Sequence, residues 1–449
     1  MTKIQDAWNL TVQNLFCQET SLIYDSLSSQ DSEHRFDHLP YPEEIRRQIP
    51  NPGGWGTGME DCMLNAGTML DVCVRKAELE PENRIEALSF AEKLLNGMET
   101  CALIHGVPGF VVRGISPRDG RSCYINSSRD QFTLFVYGLW RYSHCRNITE
   151  NIRRKISNIL CHVADYCERV VTPENNYDLL RLDGMPALVS KMYQTDPHEA
   201  YRLPMIYLAA WDATGDEKYR NLYEQYADRA IAKTELCMDK KSWFSWAFVQ
   251  LQASLRLGVE ADPESDRREK MKAIMERLAD SASTCFDCAE KNILSFDGIW
   301  DKSAESWSNS FSMSIRQETR RPGKPAFFYG YLYLFPKEHE VYMRAFETLR
   351  SLGNFAAGIG LAPASGRKKL LSRFLECLEK VDFKHQTSCG SCNILHGYYS
   401  TVAAMRYQPE CLCPDRLKTY RSASQEKRIP VSHEHKCFSV TQEDCKQMT

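Results

Sequence analysis

The chain has 449 residues, of which 43% are hydrophobic and 26% charged, and carries a net charge of −3. Those proportions describe a folded globular protein of one large domain or two to three average ones. The charge balance argues against a polyanionic partner such as nucleic acid, and no apolar run reaches the ~20 residues that cross a bilayer.

Taken in order, the segment MTKIQDAWNLTVQNLFCQET reads as a polar amphipathic helix, part of a first helix near 5–27. It lacks the apolar stretch of a secretory signal, so a cytoplasmic location is expected. Apolar residues spaced three and four apart then mark helices in pairs joined by short turns. About 59–76 pairs with 82–103, 130–145 with 150–170, 199–213 with 216–236, 244–257 with 264–284, and 325–335 with 338–351. Met59, Met63, Ala66, Leu70 and Cys73 trace one stripe; Phe132, Phe135, Val136, Leu139 and Trp140 trace another. Thr214-Gly215-Asp216 is a clear turn, with glycine ending one helix and aspartate capping the next. The only strand-like stretch singled out is Gly109-Phe-Val-Val-Arg113, inside a loop.

Long connections rich in Gly, Pro, Asn and Trp separate the pairs: 104–128, 174–198, 285–324 and 352–393. Short turns alternating with long loops place all the turns at one end of packed hairpins and all the loops at the other. The expected fold is therefore all-α, an (α/α)6 toroid over 1–407 with long loops at one mouth. Residues 408–449, with little periodicity, form a tail. Eighteen cysteines, many within helical stripes, read as small buried hydrophobes in a reducing compartment. Cys285–Cys288 and Cys389–Cys392 are C-x-x-C pairs without zinc-ribbon spacing.

Two loops lead into helices in the same manner. Gly54-Trp55-Gly56-Thr57-Gly58-Met59-Glu60-Asp61 ends in paired acids, with Thr57-x-x-Glu60 as a capping box. Ser127-Ser128-Arg129-Asp130-Gln131 follows an arginine-bearing loop, with Ser128-x-x-Gln131 as a second box. An acid in a first helical turn stabilises the helix by roughly 0.3–1 kcal/mol, which is reason enough for each alone. Two of them at successive inner-helix starts point to paired-carboxylate chemistry, where one protonated carboxyl acts as acid and the other assists. Neighbouring helix axes lie ~8–10 Å apart, within reach of that geometry, and mutual repulsion is expected to raise one of the two pKa values. Asp130 is the expected acid and Asp61 its partner. Expected substrate contacts are Trp55, Glu60, Arg113, Arg118, Arg129, His198, Trp246, Trp307 and His396. The arginines suit a sugar carboxylate, and the aromatics suit a sugar face.

The hairpin rhythm, the Thr214-Gly215-Asp216-Glu217-Lys218-Tyr219 turn and the aspartate-bearing helix starts resemble the six-hairpin glycosidases, most of all the unsaturated glucuronyl hydrolases and related glucuronidases. The resemblance covers about 5–407 in architecture. It implies that Asp61, Asp130 and His198 occupy the family's functional positions, with Asp130 as acid/base and no metal or other cofactor. Glu60-Asp61 stands where that family usually carries a doubled aspartate. The expected activity is hydrolysis of a uronic-acid-containing oligosaccharide, with no nucleic acid or membrane as partner; self-association is left open. A polysaccharide lyase or epimerase, with Tyr329 or His396 as base, is one alternative. A zinc-and-cysteine glycosidase is another, and a non-catalytic carbohydrate-binding protein or scaffold is a third.

Overall fold

The computed structural model describes residues 2–49, 51–54, 57–236, 245–277, 312–317, 329–334, 352–353, 364–381, 383, 386 and 388–406. Contacts divide the chain into a unit Met1–Arg406 and a second unit Tyr407–Thr449. The tail expected over 408–449 lies outside the described residues, as do Trp55, Trp307 and the expected helix at 338–351.

The first unit is mostly helical. Its helices are α1 (Lys3–Asn9), α2 (Pro42–Arg46), α3 (Cys62–Leu79), α4 (Arg84–Leu103), α5 (Arg129–Ser143), α6 (Glu150–Val170), α7 (Arg202–Thr214) and α8 (Glu217–Glu235). They continue with α9 (Ser245–Ala261), α10 (265–277), α11 (Ala364–Leu378) and α12 (Gly390–Arg406). Local chemistry explains the boundaries. Ser128, Thr149 and Asp216 accept a backbone N–H at the starts of α5, α6 and α8. Gly215, at φ +72°, ends α7 in the left-handed conformation that glycine adopts without steric cost.

Helices α3 and α4 form a hairpin, as do α5 with α6 and α7 with α8. The first helix of each hairpin also packs on its counterpart in the next, so α3, α5, α7 and α9 form a run of neighbours. At its other side α3 packs on α12, the last described helix, and α12 carries α1. The stripes read from sequence face this interior: Met63, Ala66, Leu70 and Cys73 are buried, as are Phe132, Phe135, Val136 and Leu139. Cysteines 62, 73, 101, 145 and 167 are buried free thiols, and Cys161 is part-buried.

Two glycines set the closest approach. A Cβ on Gly67 would lie 2.0 Å from the Leu134 carbonyl oxygen, and one on Gly138 would lie 2.3 Å from the Gly67 carbonyl oxygen. Helices α3 and α5 therefore touch backbone to backbone. Gly67→Ala is expected to lower unfolding free energy by about 1–3 kcal/mol through overpacking, partly offset by the ~1 kcal/mol that alanine gains in helix propensity. Denaturant unfolding checks it; a stabilised variant would show that the two helices can separate at no cost.

Several expected elements differ. The first helix ends at Asn9; a π-helical turn (Leu10–Leu15) leads into strand β1 (Phe16–Cys17), paired with β2 (Leu22–Ile23). The connecting turn carries Ser21 at φ +57°, which stops a helix from running to residue 27. Phe110–Val112 is a buried loop rather than a strand. Gly109, at φ +85°, enters it against α6, where a Cβ would fall 1.8 Å from the His162 carbonyl oxygen. Within 174–198, strands β3 (Asp178–Leu180) and β4 (Pro186–Lys191) form a hairpin around Asp183-Gly184. The expected inner helix at 325–335 is instead strand β6 (Tyr329–Leu334), antiparallel to β5 (Ser312–Gln317). Alternating tyrosines and leucines with a glycine favour a pleated strand there.

Candidate functional site

The loop before α3 is tied down from outside. The backbone N–H groups of Glu60 and Asp61 donate to Asp25 Oδ2 at 2.9 and 3.1 Å, and Asn65 Nδ2 donates to Asp25 Oδ1 at 3.1 Å. The Leu64 N–H, in the first turn of α3, donates to Gln131 Oε1 at 3.0 Å. Asp61 occupies the N-cap position, yet its own carboxylate makes no capping bond. It accepts instead from Gln131 Nε2 at 2.8 Å and lies 3.8 Å from Arg113 Nη1.

Helix α5 begins with Ser128 accepting the Gln131 N–H at 3.5 Å, half of the expected capping box. The Gln131 side chain does not return to Ser128. It crosses to α3, binding the Glu60 carbonyl at 3.1 Å as well as Asp61 and Leu64. The expected Thr57-x-x-Glu60 box does not cap a helix: α3 starts later, at Cys62, and Glu60 Oε2 accepts the Thr57 N–H at 3.2 Å within the preceding loop. Asp130, at the first turn of α5, is ion-paired with Arg202, the first residue of α7. The side chains of Asp61 and Asp130 are 25% and 20% exposed, whereas Arg202 is 1% exposed. The starts of the packed helices α3 and α5 thus each carry a part-exposed carboxylate, and the start of α7 supplies the arginine paired with the second.

Arginines separate these acids. Arg113 Nη1 donates to the Glu60 carbonyl at 2.8 Å and acts electrostatically on Asp130. Arg129 pairs with buried Glu199 and donates to the Lys191 carbonyl at 3.2 Å. Glu199 Oε1 lies 3.5 Å from Arg202 Nη2 and 3.6 Å from His198 Nε2. The alternation of Asp61, Arg113, Asp130, Arg202, Glu199 and Arg129 balances three anions against three cations.

These neighbours set the protonation states. Burial pushes the Asp130 carboxyl up, but Arg202 first, then Arg129 and Arg113, hold it below the usual carboxylate range. Asp130, the expected acid, therefore rests as a carboxylate rather than being raised by a neighbouring charge. The raised carboxyl belongs to Asp25. Burial and then the charges of Asp61 and Glu60 push it up, against the opposing N–H groups of Asp61 and Glu60. Burial also lowers His198, helped by Arg202 and Arg129 and opposed by Glu199, so its imidazole is neutral near pH 7.

One pH dependence follows. Because the folded pKa of Asp130 is depressed, its stabilising contribution is present above the ordinary carboxylate pKa of about 4 and is lost as pH falls through the folded value. Wild type and Asp130→Asn are expected to converge in Tm as pH falls below about 4. A gap that stays constant to the lowest folded pH would show that ionisation of Asp130 does not stabilise the fold.

Glu60, Asp61, Arg113, Arg129, Asp130 and His198 belong to this constellation. Arg118 is exposed, stacked 4.0 Å over Tyr41, and donates to the Asp37 carbonyl at 3.1 Å, so no described contact joins it to the acids. His396 is not at the helix starts. Its Nε2 lies 3.1 Å from Asp71 Oδ2, ten residues beyond Asp61 and so about 15 Å along α3. It is thereby withdrawn from the role of lyase base at the mouth. Trp246 is in α9 with its side chain outside the described residues, and Trp55 and Trp307 lie outside them altogether. Asp25, Glu199 and Arg202 are additions that sequence reasoning missed; the His198-Glu199-x-x-Arg202 spacing was the available signal for the latter two.

Cys389 and Cys392 are buried free thiols at the start of α12, and burial pushes Cys392 up to about 12. Among the described residues no cluster of His, Cys, Asp or Glu forms a metal-binding set, and no helix is long and apolar enough to cross a membrane. Compared with known proteins, the chain matches no family model and no curated protein.

Proposed function

We propose that this chain is a glycoside hydrolase of uronic-acid-containing oligosaccharides, built on a six-hairpin (α/α) ring. The observation that carries the reading is the placement of Asp61 and Asp130, both part-exposed, at the starts of the packed helices α3 and α5. Gln131 and Arg113 lie against Asp61, Arg202 is paired to Asp130, and Arg113 also acts electrostatically on Asp130. Support for the ring comes from the run α3, α5, α7, α9 and from α12 packing beside α3.

Asp130 acts as the acid once substrate is bound. A sugar carboxylate that draws Arg202 or Arg129 toward itself removes the cation that holds Asp130 ionised and brings a like charge near it, so Asp130 takes up a proton. That proton passes to the leaving glycosidic oxygen. The oxygen of a water bonds to the anomeric carbon, and Asp61 accepts the water's proton. Gln131 fixes the Asp61 carboxylate for this role, and neutral His198 offers a hydrogen bond to a sugar hydroxyl.

Assays with chromogenic glycosides, including glucuronides and unsaturated uronides, test the reading. Release of the chromophore from a uronide, with neutral glycosides poor substrates, is expected. A new conjugated double bond in the product identifies a lyase instead, and inertness toward every uronide removes the proposal.

A further inference from the structure

Helix α3 is capped by groups from other parts of the chain, and its own N-cap side chain takes no share. A helix start presents N–H groups without an intrahelical acceptor, and an aspartate at N-cap ordinarily accepts one from the second or third helical residue. Asp61 holds that position and makes no such bond. The donors are met elsewhere. Met63, the second helical residue, donates its N–H to the Arg113 carbonyl at 3.2 Å, and Leu64, the third, donates to Gln131 Oε1 at 3.0 Å. Just before the helix, the N–H groups of Glu60 and Asp61 both donate to Asp25 Oδ2, at 2.9 and 3.1 Å.

Asp25 is itself held on every side. It is 7% exposed, and Asn65, one turn into α3 and 1% exposed, donates Nδ2 to its other oxygen at 3.1 Å. Its backbone N–H donates to the Gly58 carbonyl at 3.0 Å. Its carbonyl accepts the N–H of Cys389, the residue before α12, at 2.9 Å. Two successive N–H groups converging on one fixed oxygen set two peptide planes. Those planes set the direction in which the Asp61 side chain leaves the backbone.

We propose that Asp25 is the positioning residue of Asp61. Together with the Arg113 carbonyl and Gln131 it supplies the acceptors that the start of α3 needs, which releases the Asp61 carboxylate from capping and turns it toward Gln131 Nε2 and Arg113. The catalytic purpose of this placement rests on the proposed hydrolysis; the placement itself does not. Without Asp25, the loop relaxes and Asp61 returns to the ordinary duty of an N-cap, competing with Gln131 for the Leu64 N–H. An acceptor oxygen is what the role requires. Asp25→Asn keeps one toward Glu60 and Asp61 and offers its Nδ2 to Asn65, whose amide can present its own oxygen.

The test joins nitrogen NMR of the Gln131 side-chain amide in the full-length protein with steady-state kinetics on a chromogenic uronide. In Asp25→Leu the Gln131 amide resonances are expected to move. A displaced reacting group costs about 10²-fold, so kcat is expected to fall by that factor with KM little changed. Asp25→Asn is expected to restore both. Where Asp25→Leu does not fold, Asp25→Ser, which withdraws the reaching oxygens and stays polar, takes its place. Unchanged Gln131 resonances in the folded variant overturn the inference whatever the loss of stability, because Asp25 then only holds the loop. Asp25→Asn behaving as Asp25→Leu overturns it too. If wild type hydrolyses no uronide, the proposed reaction fails, and the amide resonances alone still decide the placement.

Discussion

Replacing Asp71 with Asn is expected to lower unfolding free energy at pH 7 by about 3–5 kcal/mol, the usual cost of leaving buried ionic partners uncompensated. The substitution keeps the shape and removes the charge, so little of the loss comes from a cavity. Asp71 has no exposed surface, and its oxygens receive Arg75, Arg141 and His396 from three helices. Arg141 retains Glu260, but Arg75 is left without an anion. The pH dependence has a defined sign. Burial raises the Asp71 carboxyl, yet Arg75, His396 and Arg141 together hold it well below its ordinary value. Its contribution is therefore complete above about pH 4 and disappears as pH falls through the folded value. His396, lowered chiefly by burial, adds a second loss as pH falls below about 6.5, because the unfolded chain binds that proton more readily. Denaturant unfolding of wild type and Asp71→Asn across this range checks both statements. A loss below about 1 kcal/mol would mean that the two arginines relax into solvent.

Asp130→Asn is expected to reduce turnover of a uronide by about 10²- to 10⁴-fold, the usual contribution of a general acid. It also removes the carboxylate that neutralises Arg202, a side chain 1% exposed, so a stability loss of about 1–3 kcal/mol accompanies it. The two effects separate in the double variant Asp130→Asn/Arg202→Gln, where neither charge remains. Stability is expected to recover at least in part, while activity stays at the level of Asp130→Asn. Steady-state kinetics with unfolding curves on the same preparations decide the matter. If activity returns with stability in the double variant, Asp130 is a structural partner of Arg202 and the acid lies elsewhere.

Much of the helical order was legible because it is local. The stripe from Met63 to Cys73 and the Thr214-Gly215-Asp216 turn depend on residues a few positions apart, and both appear as read. The segment at 329–334 was misread because alternating tyrosines and leucines fit a helix face and a strand about equally over so short a run. At the site, Ser128 caps α5 as read, whereas Thr57 and Glu60 lie in the loop ahead of α3, and the Gln131 side chain was assigned to its own helix. Gln131 serves α3 instead, and Asp25, from a distant turn, binds the loop that precedes it. The charge state of Asp130 was also out of reach. It depends on Arg202, 72 positions away, and spacing along the chain does not reveal which of several arginines a fold will deliver.

The Gln131 amide holds the Asp61 carboxylate with one end and the Leu64 main-chain proton with the other. Any fluctuation that releases the glutamine from one loosens its hold on both. Solvent deuterium uptake at that single amide would thus count how often the first acid loses its orientation, in molecules that are otherwise fully folded. A spectroscopist could follow the order of the proposed site there without any substrate.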